Sequence, residues 1–145
     1  MQEQRSVGRE IAALTNSIKR KMSGCAQWSE IPLTGMQVWV LGYIASLYGE
    51  GDVFQRDIES AFNISRATAS GILQRMERDG LIRRETAKID GRQKKLILTP
   101  QALHLCQVLS CQVSALDAEM TAGIDTASLE TFYQVLAKIK ANLKT

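Results

Sequence analysis

The sequence predicts a mainly α fold with one small β-hairpin. Three observations predict it. Apolar residues recur at spacings of three and four along most of the chain. Two of these stretches, around Phe54 to Phe62 and Ser65 to Asp79, are separated by only a short polar turn. A single β signal, LIRRETAKIDGRQKKLILT, follows at once.

A chain of 145 residues suits one domain. With 45% hydrophobic and 23% charged residues it is ordinary for a globular protein, which excludes a disordered one. Its apolar runs fall short of the roughly 18–20 residues that span a membrane. The N-terminal MQEQRSVGREI lacks the basic-then-apolar layout of a signal peptide. The expected location is the cytoplasm.

A first helix is expected over residues 7–25, where Val7, Ile11, Leu14, Ile18, Met22 and Cys25 alternate by four and three. Thr34 suits the N-cap of a second, over 35–48. That helix is apolar on most sides, from Met36 to Leu47, so it is expected to be buried. Phe54, Ile58, Ala61 and Phe62 mark a third helix, and Asn63 suits the left-handed residue that ends it. Ser65 can cap a fourth over 66–79, which stops at Gly80. After the hairpin, Thr99 and Pro100 suit the N-cap and first position of a fifth. Ala102, Leu105, Leu109, Leu116 and Met120 carry it to about residue 122. Gly123 then ends it, and Asp125 caps a last helix over 126–143, striped with Leu129, Phe132, Leu136, Ile139 and Leu143.

The first and last helices carry narrow apolar seams with charged opposite faces, a pattern that suits helix pairing. Ile11, Leu14, Ile18, Leu116, Met120, Leu129, Phe132, Leu136 and Ile139 are the candidate contacts between two copies of the chain. One domain over 1–145 is expected, with dimerisation helices at about 6–26 and 100–144 around a central part at about 34–99.

Charge singles out the central part. From Arg83 to Lys95, six basic residues stand against two acidic ones, so this stretch carries +4 while the whole chain carries +3. Positive potential focused in this way marks an anion-binding patch. The fourth helix adds a second signal. Ala69, Ile72, Leu73 and Met76 cover one face; Ala67, Gly71, Gln74 and Arg78 form the opposite one, flanked by Thr68, Ser70 and Arg75. Gly71 in mid-helix costs roughly 0.8–1 kcal/mol relative to alanine. Close approach to the floor of a DNA major groove would offset that cost; tight packing on a neighbouring helix is the alternative. Gln74 can pair with an adenine edge, and Thr68 and Ser70 can reach bases or phosphates.

Two helices and a short turn followed by a hairpin make a winged helix, so the basic stretch reads as the wing. Asp90-Gly91 has hairpin-turn chemistry. Arg92 can enter a minor groove, with Asp90 holding its guanidinium. Lys94 and Lys95 would neutralise phosphates. The DNA-binding candidates are therefore Ser65, Arg66, Ala67, Thr68, Ser70, Gly71, Gln74, Arg75 and Arg78 on the helix, with Arg84, Lys88, Asp90, Arg92, Lys94 and Lys95 on the hairpin.

At these residues the sequence resembles the MarR/SlyA family of bacterial transcription regulators. The matches are NISRATASGILQRMERDGLIRR and DGRQKKLILTPQA, and the flanking helices fit the family's layout. The resemblance implies a homodimer interlocked by its terminal helices, each subunit presenting one winged helix. It places the minor-groove arginine at Arg92, its partner aspartate at Asp90, and the recognition helix at 65–79. Turn chemistry puts the wing apex at Asp90-Gly91, whereas the family puts it around 87–89, so the apex is left within 87–92. The expectation is a regulator, in its first form a repressor, binding a pseudo-palindromic operator as a homodimer. Its recognition helix would enter the major groove and its wing the minor groove. The family's small, often anionic aromatic ligands imply release by such a molecule. Trp28, Trp39, Tyr43 and His104 are candidates for lining its pocket, although aromatics also fill cores.

The alternative is a redox or ligand sensor acting through cysteine chemistry or protein partners. Cys25, Cys106 and Cys111 are odd in number and lack disulfide spacing, and the last two lie about 140° apart on a helix. They read as free thiols behaving as small hydrophobes. The family's oxidant-sensing branch has its reactive cysteine near the start of the first helix, where this chain has none. An enzyme is not expected, nor a cofactor or metal: there is one histidine, no metal-spaced cluster and no Gly-rich phosphate loop.

Overall fold

The structure, a computed structural model, describes residues 4–26, 33–86 and 94–144. Among the described residues, six helices and three short strands run α1 (Val7–Ala26), α2 (Gly35–Ser46), β1 (Val53–Phe54), α3 (Gln55–Phe62), α4 (Arg66–Arg78), β2 (Ile82–Thr86), β3 (Lys94–Leu98), α5 (Pro100–Thr121) and α6 (Thr126–Asn142). The chain divides into two compact units, Met1–Val113 and Ser114–Thr145.

In the first unit, local chemistry sets most boundaries. Thr34 caps α2: its hydroxyl accepts from the Gln37 N–H at 3.2 Å, and the Gln37 side chain accepts from the Thr34 N–H at 3.0 Å. That helix ends at Ser46, two residues before the expected end at 48. Asn63 adopts φ 50°, ending α3 as expected, and the Ile64 N–H then reaches back to the Glu59 carbonyl at 3.1 Å. Ser65 caps α4 by accepting from the Thr68 N–H at 3.1 Å. Gly80 at φ 76° ends it and turns the chain into Leu81 and Ile82, both fully buried.

Phe54 corrects the sequence reading. It was expected to begin the third helix; it lies instead in β1, immediately before α3. Its N–H donates to the Asp57 carboxylate at 2.8 Å, which satisfies a backbone donor at the helix start. β1 pairs antiparallel with β3, Val53 opposite Leu96, so the expected hairpin becomes a three-stranded sheet of order β1-β3-β2. The expected turn at Asp90-Gly91, with Lys88 and Arg92, lies outside the described residues, as do Trp28 and the Cys25 side chain.

The core gathers Val40, Leu41 and Ile44 of α2, Ile58 of α3, Leu73 and Met76 of α4, Leu81, Ile82, Leu96 and Leu98 of the sheet region, and Ala102 of α5. α2 runs through it, in keeping with its nearly all-apolar surface. Thr99 locks the root of the sheet. Its hydroxyl donates to the Gly80 carbonyl at 2.7 Å and accepts from the Ala102 N–H at 3.2 Å, while its own N–H donates to the Leu81 carbonyl at 3.1 Å.

In the second unit, Gly123 at φ 78° ends α5 and Asp125 caps α6, its carboxylate accepting from the Ser128 N–H at 3.1 Å. Hydrogen bonds from the Ser128 hydroxyl and N–H hold that carboxyl below the usual aspartate range. The apolar surface of α6 is broader than the expected seam. Phe132 and Tyr133 are 49% and 55% exposed, and Val135 is open beside them, while Leu129, Leu136 and Ile139 are half-buried. Leu116, an expected contact between copies, is 6% exposed in the single chain and offers a partner little surface.

Thr99→Val should cost about 1–2 kcal/mol of stability, because it removes a helix cap and leaves the Gly80 carbonyl without its donor. Urea denaturation followed by circular dichroism measures it.

Candidate nucleic-acid interface

Packing decides which face of α4 is free. Ala69, Leu73 and Met76 are fully buried, with Ile72 partly buried beside them. Ser65, Arg66, Ala67, Thr68, Gly71, Gln74, Arg75 and Arg78 are exposed, and Ser70 is half-buried at the edge. The structure therefore places the expected recognition residues together on one open face. Ser65 and Thr68 are joined there: the Ser65 hydroxyl donates to the Thr68 hydroxyl at 2.9 Å. The start of α4 is tied to α3 through Gln55, whose amide donates to the Arg66 carbonyl at 3.3 Å.

Gly71 separates the two readings offered for it. A Cβ built there meets no atom within 4 Å. Tight packing within the chain is thus ruled out as its reason, and the open side is the outward one.

The sheet divides the basic residues between its two faces. Cross-strand partners share a face, and the register pairs Ile82 with Leu98, Arg84 with Leu96 and Thr86 with Lys94. Ile82, Leu96 and Leu98 are buried, so this row is the inner one, and Arg84 and Lys94 extend it outward. Arg83, Glu85, Lys95 and Ile97 belong to the other face. There Lys95 lies 3.9 Å from the Asp52 carboxylate and 4.0 Å from that of Glu85. Two carboxylates offset its charge, and it does not share the face of Arg84 and Lys94.

Between α3, the start of α4 and the sheet lies an open groove of about 570 Å³. Arg56, Arg66, Arg84 and Lys94 line it with Gln55, Ser70 and a single carboxylate, Glu59. Four cations around one groove favour an anion. Arg56, stacked over the Phe54 ring at 5.0 Å, and Gln55 escaped the sequence reading. The signal that could have found them is the run Gln55-Arg56 at the start of α3, next in space to Arg66.

The ligand-pocket candidates are more scattered. The Tyr43 ring meets that of Phe62 edge-on at 5.7 Å, beside the core, Trp39 is half-buried and His104 is exposed. A second cavity, of about 280 Å³, lies between the 47–53 segment and β3 and contains none of the three. Cys106 is partly buried, with its thiol 3.9 Å from the Leu41 carbonyl, and burial pushes its pKa up. That favours the thiol over the reactive thiolate. Cys111 is a free, exposed thiol. Among the described residues no cluster of His, Cys, Asp or Glu could hold a metal ion, and no helix is long and apolar enough to cross a membrane.

Comparison with known proteins bears on this surface directly. The family model described as "MarR family" matches residues 31–93, which hold α2, β1, the helix-turn-helix and β2. The MarR regulator of Oenococcus oeni PSU-1 is similar along nearly all of the chain, with 29% identity, TM-score 0.83, and 94% of this chain and 99% of that one covered. Over that stretch the chain is similar to the MarR family. That likeness supports a winged-helix, DNA-binding transcription regulator. Two further structures share the fold. S. aureus MepR, solved as a DNA complex, has 21% identity and TM-score 0.84 over 96% of this chain and 97% of its own. PcaV of Streptomyces coelicolor, solved with its natural ligand, has 20% identity and TM-score 0.79 over 95% of this chain and 94% of its own.

Gly71→Ala should stabilise the protein by about 0.8–1 kcal/mol, since the added methyl meets open space and helix propensity improves. A shift of the thermal midpoint to higher temperature reads this out.

Proposed function

We propose that this chain is a MarR-family homodimeric repressor that reads a pseudo-palindromic operator. The open face of α4, from Ser65 to Arg78, would lie in the major groove. Arg84 and Lys94 would meet the backbone, and the wing residues Lys88, Asp90 and Arg92 would reach the minor groove. The observation that carries this reading is the pairing of that small, polar face with an adjacent four-cation groove. Gly71 supports it, because a mid-helix glycine with an empty outward side suits close approach to a groove floor. The fold shared with MepR, which was solved on DNA, supports it further.

The second copy is argued from apolar exposure. Val7, Ile11 and Leu14 on α1, and Phe132, Tyr133 and Val135 on α6, are open in the single chain. So much exposed apolar surface is costly in water and marks an interaction surface. Two copies related by a two-fold axis would present two recognition helices about one DNA turn apart. Release by a small aromatic or anionic ligand completes the reading, in line with the ligand complex of PcaV, with Trp39, Tyr43 and His104 as its candidate contacts.

The first test is fluorescence anisotropy of the purified chain against the DNA upstream of its own gene, at several salt concentrations, with a scrambled duplex alongside. Tight, salt-steep binding that prefers the native duplex is expected; equal binding to both would overturn the operator assignment. Arg92→Ala should cost about 1–3 kcal/mol of operator binding. Lys95→Ala should cost less at equal salt, because Asp52 and Glu85 already offset its charge. Equal losses would remove the distinction between them.

Sedimentation equilibrium tests the assembly. A dimer is expected at micromolar concentration, and Phe132→Glu should shift it toward monomer by placing a charge in the apolar contact. A monomeric parent chain would overturn the reading.

A further inference from the structure

The register places a charged side chain in an apolar row. Arg84 stands opposite Leu96 on the inner face of the sheet. Its side chain is only 20% exposed, and its Nε and Nη2 have no hydrogen-bond partner among the described residues. The carboxylate paired with it belongs to Glu77, on the last turn of α4, with Oε2 3.7 Å from Nε. That distance is too long for a hydrogen bond. With Glu77 47% exposed, the pair is loose and partly screened.

Buried guanidinium N–H groups without acceptors are costly, so this side chain is poised for a better partner. It opens onto the groove beside Arg66, Ser70 and Lys94. A planar fork of donors among further cations matches an anion with several acceptor oxygens, of which a phosphodiester is the form DNA supplies.

The geometry points to a phosphate clamp at the root of the wing, in which Glu77 holds Arg84 in the free protein and yields it to a DNA backbone phosphate. This rests on the DNA-binding reading above and adds a control to one part of that surface. Glu77 is a positioning residue: it steadies the guanidinium and competes with the phosphate for it. Phosphates carry no base information, so the competition acts on correct and incorrect duplexes alike. The clamp joins the recognition helix, which carries Glu77, to the wing strand, which carries Arg84.

A double-mutant cycle tests it, read by anisotropy of the full chain against a mixed-sequence duplex at several salt concentrations. Glu77→Gln should tighten binding by about two- to fivefold, the share an exposed ion pair withholds. Arg84→Ala should weaken binding by about tenfold or more and make the salt slope shallower by about one. In the Arg84→Ala background, Glu77→Gln should bring little further gain. An equal gain in both backgrounds would overturn the clamp, because Glu77 would then act by general repulsion of DNA. Weaker binding by Glu77→Gln with an unchanged thermal midpoint would overturn it as well. Arg84→Lys keeps the charge without the planar fork and should recover only part of the affinity; full recovery would argue against the clamp. No duplex binding by the parent chain would overturn the DNA reading and the clamp together, whereas equal gains would leave the DNA reading standing.

Discussion

The burial of one stripe of α4 governs the rest of the molecule. Ala69, Leu73 and Met76 are fully enclosed against a core drawn from α2, α3, the sheet and α5. Burying a large apolar side chain contributes about 1.5–3 kcal/mol. Turning the helix on its axis would give that up and force Gln74 or Arg75 out of water without partners. The outward face is therefore a consequence of the inward one. The residues proposed to read DNA need no contacts of their own to be presented correctly, which leaves them free to be small, polar or glycine.

The same core orients the wing root. Ile82, Leu96 and Leu98 commit one face of the sheet to the interior, and strand alternation then assigns every charge on β2 and β3 to a side. Arg84 falls in the inner row and meets the groove beside α4. Lys95 falls on the other face, between two carboxylates. A run of basic residues that looks uniform along the chain is thus split by the pleat into groups with different partners and different work.

Where local chemistry decides an element, the sequence reading and the structure agree closely. Thr34, Ser65 and Asp125 cap helices because their oxygens accept from nearby N–H groups, and Asn63 takes the left-handed conformation its short amide tolerates. The two faces of α4 follow from a period of 3.6 residues and were legible in full. β1 was not legible. A two-residue strand has no periodicity, and Val53-Phe54 becomes a strand only because the edge of β3, some forty residues later, is there to pair with it.

The sequence by itself determined the order of elements, the helix ends and the exposed polar face of α4, because these depend on contacts within a few residues. Only the tertiary structure decided the third strand, the empty space outside Gly71, and the company each charge keeps. The Arg56–Arg66–Arg84–Lys94 groove and the Glu77–Arg84 pair join residues from four separate elements. Such neighbours are set by how the core folds the chain back on itself, and no pattern along the chain records them.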